Sequence, residues 1–160
     1  MDDSVTLKKA QEEIERLGLP IPERPEGGAE KLEWPENVAD LTPDQLAEHM
    51  TWWSGWGGYA RYHYARAETN HAAYSKELKI ETQIRVHKSE GDYKNVTELK
   101  AAVAQMPDIQ RIEAKVLEAE AVRKMVRALL EGYVEKKETV SREITRRGED
   151  FQDDQRKFRA

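Results

Sequence analysis

The chain has 160 residues, 36% of them charged and 38% apolar, with a net charge of −5 and no cysteine. That length suits one modest domain, the missing cysteines exclude disulfides and thiolate chemistry, and any zinc site would have to be built from histidines and carboxylates. No stretch approaches the roughly 18–20 apolar residues of a membrane span, and the opening MDDSVTLKKAQEE lacks the apolar run of a signal peptide, so the expectation is a cytoplasmic protein with no membrane partner. The charge is unevenly spread. Residues 1–50 hold 13 acids against 5 bases, and residues 51–160 hold 18 against 21. An acidic front third attached to a mildly basic body is what such an imbalance predicts.

Residues 4–17 can form a short amphipathic helix on Val5, Leu7, Ile14 and Leu17. The stretch LPIPERPEGGAEKLEWPE follows, with prolines at 20, 22, 25 and 35 and glycines at 27 and 28. Proline at that density interrupts helices and ladders, so residues 18–41 are expected to be an extended linker carrying Trp34 as an anchor. Residues 1–41 together form the acidic N-terminal arm. LTPDQL then opens a helix. Thr42 is an N-cap, Pro43 fits the first helical position, and Gln45 stands where a capping box places Glu or Gln.

From there Leu46, Trp53, Ala60, Ala67 and Tyr74 repeat every seven residues, and Met50, Gly57, Tyr64, His71 and Leu78 form a second line. The alternation predicts the seam of a helix packed lengthwise on another, reaching about residue 88, with small residues at 57, 60 and 67 for close approach. SEGDY breaks the helix, with Gly91 as the turn residue. VTELKAAVAQ reads as a short helix. MPDIQ starts a second long helix, whose seam runs Ile109, Ile112, Val116, Ala119, Arg123, Val126, Leu130, Tyr133, Lys137, Val140, Ile144 and is expected to end at Gly148, before a polar tail at 149–160. The predicted fold is therefore all-α: a long antiparallel helical hairpin domain at 42–148 with a short connecting helix, oligomerising through its heptad seams.

One segment concentrates unusual chemistry. WWSGWGGYARYHYAR, residues 52–66, holds three of the four tryptophans and three of the six tyrosines. Bases can stack on such rings. A tryptophan-rich helical face nevertheless more often packs on other helices, so Trp52, Trp53, Trp56 and Tyr59, with Val126, Leu130 and Tyr133 opposite, are assigned to an oligomer interface. Residues 51–88 carry six bases, Arg61, Arg66, Lys76, Lys79, Arg85 and Lys88, against three acids. KKETVSREITRR adds Lys136, Lys137, Arg142, Arg146 and Arg147, placed where cations also suit a helix C-terminus. Glu68-x-x-His71 has the spacing used in di-iron bundles, but it lacks the second such pair that those sites need. No nucleotide-binding or nucleophile motif is present, so no catalytic residue, metal or cofactor is assigned.

The order of YSKELKIETQIRVHKS, the short helix VTELKAAVAQ and a Pro-Asp start to a heptad helix ending in VSREITRR resembles bacteriophage recombination mediators of the UvsY type, over roughly residues 59–147. The resemblance implies a helical, ring-forming, non-enzymatic protein of an infected bacterial host. Such a protein binds single-stranded DNA and helps load a RecA-like recombinase in place of single-strand-binding protein. The family's Lys-x-Arg DNA motif corresponds here to Lys76-Glu77-Leu78-Lys79, of which Lys76 carries over. Lys79, Arg85 and Lys88, with Arg61 and Arg66, would supply the remaining charge. The alternatives from the residues alone are a phage structural or assembly protein and a coiled-coil adaptor whose acidic arm binds a protein.

Overall fold

The computed structural model describes residues 3–89, 91 and 93–159, except for the side chains of 153, 154 and 156–159. Among the described residues the chain is all-helical, with four α-helices and two single-turn 3-10 helices. The α-helices are α1 (Val5–Arg16), α2 (Pro43–Lys88), α3 (Val96–Ala104) and α4 (Pro107–Arg159). The two long ones, α2 and α4, pack against each other. The chain divides into two compact units, Met1–Pro20 with His63–Val126, and Ile21–Tyr62 with Arg127–Ala160.

In the first unit, the later part of α2 lies antiparallel to the early part of α4. Lys115 sits over the Tyr74 ring at 5.6 Å, and Arg85 bridges Glu81 and Asp108. The core here is Leu99, Val103 and Ile109, with Leu78, Val86 and Met106 against it. Asn95 caps α3 by accepting from Glu98 N–H at 2.8 Å, and Gly91 turns the chain at φ 104°, a left-handed conformation that glycine adopts without steric cost. α1 docks through its first turn. Ser4 caps it by accepting from Leu7 N–H, while the Ser4 N–H donates to Asn70 Oδ1 at 2.8 Å. Arg66 pairs with Asp3 at 2.7 Å, and Leu7 is buried. Val5 and Leu17, expected on the buried side of α1, are exposed.

In the second unit, the start of α2 is fixed by a reciprocal capping box. Thr42 N–H donates to Gln45 Oε1 at 2.8 Å, and Gln45 N–H donates to Thr42 Oγ1 at 3.3 Å. The stretch expected to be an extended linker instead carries 3-10 turns at Ala29–Lys31 and Val38–Asp40 and folds back on the helices. Trp52 Nε1 donates to Ala29 O at 3.4 Å, Arg24 lies over the Trp56 ring, and Arg147 donates to Ala39 O at 2.8 Å. Proline denies this segment a helix, but it does not deny it side-chain docking.

α4 does not stop at Gly148. It continues to Arg159, so Arg146 and Arg147 are interior to a helix rather than at its end. Their partners are carboxylates: Glu143 pairs with both, and Asp150 pairs with Arg146. Those guanidiniums pull the Glu143 carboxyl down to about 2.

The line Leu46, Trp53, Ala60, Ala67 and Tyr74 is buried at every position. Along α4, Ile109, Ile112, Ala119 and Val140 are buried, whereas Ile144 is exposed.

Candidate nucleic-acid interface

The aromatic block is largely consumed within one chain. Trp53 is 1% exposed and stacks on Tyr133 at 5.8 Å, nearly parallel. Trp56, also buried, tilts against Tyr133 and meets Tyr59 edge-on. Trp34 packs edge-on against both His49 and Trp53, and Lys136 Nζ sits 4.0 Å above the Trp53 ring. A cation over a desolvated indole is held by the ring quadrupole. Of the seven residues assigned to an oligomer interface, Trp53, Trp56, Tyr59 and Tyr133 thus touch one another. Trp52 reaches Trp56 and Ala29, and Val126 and Leu130 are half-buried. Among the described residues nothing lies within 4 Å of a Cβ built at Gly57, so no helix of the same chain approaches closely there.

The six bases assigned to DNA divide by what they already hold. Arg66 is committed to Asp3, and Arg85 to Glu81 and Asp108. Lys76, Lys79 and Lys88 are exposed on the first unit's part of α2. Arg61, also exposed, lines a groove in the second unit with Trp53, Gly58 and Lys137. At roughly 100° per residue, Lys76, Lys79, Ile80, Gln83, Ile84 and His87 span about 140° of helix, opposite Ala67, Tyr74 and Leu78. Ile80 and Ile84 form one edge of this span, beside the polar groups, 46% and 39% exposed.

Sequence reasoning missed Asn70, Asp3 and Ser4, and left His49 as a seam or surface residue without a partner assigned. His49 is 4% exposed, and its Nδ1 accepts from Trp53 Nε1 at 3.3 Å. Burial lowers its pKa, opposed by the charge of Glu48. The i,i+4 spacing of His49 and Trp53 was the available signal. Asn70 holds α1 from 66 residues away, and no local pattern announces such a pair. Among the described residues, no group of three or more His, Asp or Glu side chains could hold a metal ion, and no helix is long and apolar enough to cross a membrane.

Compared with protein-family models, curated proteins and solved structures, the chain matches none.

Proposed function

We propose that this chain is a non-enzymatic helical protein that binds single-stranded DNA through the outer face of α2 and acts as a recombination mediator. In that role it would assist a RecA-like recombinase in replacing single-strand-binding protein. The observation that carries the DNA reading is the juxtaposition of Lys76 and Lys79 with the uncovered Ile80 and Ile84 on one face of α2. Large aliphatic side chains left in water forgo about 25 cal/mol per Å² of burial. A single strand offers both things this face lacks, phosphates for the lysines and unpaired apolar base faces for the isoleucines. The net charge of −5 does not oppose local contact, because exposed charges beyond about 10 Å are screened at ordinary ionic strength. The recombinase partnership rests on the resemblance at residues 59–147.

The test is light scattering during size-exclusion chromatography, with and without labelled oligo-dT, at low and near-physiological salt. The expected result is an oligomer that carries the oligonucleotide and releases it as salt rises, with at least tenfold weaker binding for Lys76→Glu/Lys79→Glu. A protein that ignores DNA at both salts would leave the structural or adaptor reading. That second reading has its own support, since Leu117 and Met125 on α4 are 61% and 69% exposed and would suit a protein partner.

A further inference from the structure

The first unit holds a cleft of about 580 Å³ lined by residues of α1, α2 and α4. Three lysines reach it from three different helices: Lys8 from α1, Lys76 from α2 and Lys115 from α4. Three carboxylates also line it, Asp3, Glu77 and Glu81. Two of these are already engaged by arginines, Asp3 by Arg66 and Glu81 by Arg85. Glu81 shares its arginine with Asp108, and Glu77 is the one lining carboxylate with no arginine on it among the described ion pairs. Ammonium groups that converge on one cleft from three helices are arranged to meet an anion whose charge is spread over several phosphates. Lys115 is the best placed of the three, because its Nζ rests over the buried Tyr74 ring at 5.6 Å. Val5 and Ile80, both exposed, supply apolar surface on the same cleft.

We infer that this cleft is a binding site for a phosphate-bearing chain, with Lys8, Lys76 and Lys115 on phosphates and Val5 and Ile80 against the groups between them. The inference rests on the DNA reading above and deepens it. It adds contacts from α1 and α4 to those of α2, and it makes α1 part of the site. The Asp3–Arg66 pair then serves two ends. It docks α1, and it neutralises a carboxylate that would repel the ligand.

The experiment measures anisotropy of labelled oligo-dT across a salt series, alongside calorimetric titration with inorganic tripolyphosphate. The proteins are the wild type, Lys8→Glu/Lys115→Glu, and a charge-matched control, Lys94→Glu/Lys100→Glu, whose lysines lie outside the cleft. Circular dichroism establishes that each is folded. Loss of two phosphate contacts should lower the salt slope by about 1.4 and weaken oligo-dT at least tenfold at low salt in the cleft variant, with a markedly smaller change in the control. Equal loss in both double variants, or none in the cleft variant, would overturn the cleft while leaving DNA binding by α2 standing. Tripolyphosphate bound by the wild type and lost in the cleft variant, with no oligo-dT binding, would keep the cleft and remove the DNA reading. Failure of the wild type to bind either probe would overturn both.

Discussion

His49 shows how one side chain ties a buried contact to pH. Its Nδ1 must be unprotonated to accept the Trp53 indole hydrogen at 3.3 Å. Trp34 from the arm closes over it, Glu48 lies next to it on α2, and Lys136 and Tyr133 of α4 pack on the neighbouring Trp53. Because burial depresses the folded-state pKa, the unfolded chain binds the proton more readily. The contribution of His49 to stability is therefore complete above about 6.5, the ordinary histidine value, and is lost as pH falls toward and through the lowered pKa. Thermal melts between pH 7.5 and 5 should show a falling midpoint. His49→Gln, whose amide oxygen can still accept from Trp53, should show a smaller fall. Parallel curves for the two proteins would assign the pH dependence to other groups. The buried neighbour, Trp53, was legible from its place in the seven-residue repeat. His49 was not, because a histidine's burial depends on which side chains close over it, and Trp34 arrives from 15 residues upstream.

Among the elements, the helix starts and the end of α2 at Lys88 were legible in the sequence, whereas the end of α4 was not. The capping box at Thr42 and Gln45 and the Pro107 start are local chemistry, settled within a turn. Gly148 is the opposite case. Glycine is enriched just past helix ends, but here α4 runs through it to Arg159, with the Glu143–Arg147 ion pair just before it and the Arg146–Asp150 pair spanning it. The two outcomes are separable by mutation. A Cβ at Gly148 meets nothing within 4 Å, so Gly148→Ala should stabilise the protein by about 0.5–1 kcal/mol in urea unfolding, by removing glycine's unfolded-state entropy. A loss of stability would instead mean that the residue needs a conformation only glycine tolerates. The expectation for residues 18–41 held in part: the segment has no α-helix and Trp34 anchors it on α2, but it also carries two 3-10 turns and further docking contacts. Proline content excludes an α-helix, but it says nothing about whether Trp34, Arg24 and the Ala29 carbonyl find partners.

At the scale of the whole molecule, both long helices are continuous through two compact units, and each unit is completed by a different piece of the N-terminal third. Residues 1–20 complete the first and residues 21–41 belong to the second. Asn70 is the hinge of the first arrangement, since it receives the Ser4 N–H and donates to Asp3. Asn70→Ala strands a buried N–H, at a cost of about 1–3 kcal/mol. Hydrogen exchange should then accelerate across residues 5–16 and leave 21–41 unchanged, whereas acceleration of both stretches would contradict separate docking. The sequence by itself determined the all-α class, the two long helices, the capping box of α2 and its buried seven-residue line, because periodicity and capping are written within a few turns. Only the tertiary structure decided which cations are already spent, what the tryptophans pack against, and that the acidic front third docks rather than hangs free. Those outcomes depend on pairs tens of residues apart, whose meeting is fixed by packing rather than by any local pattern.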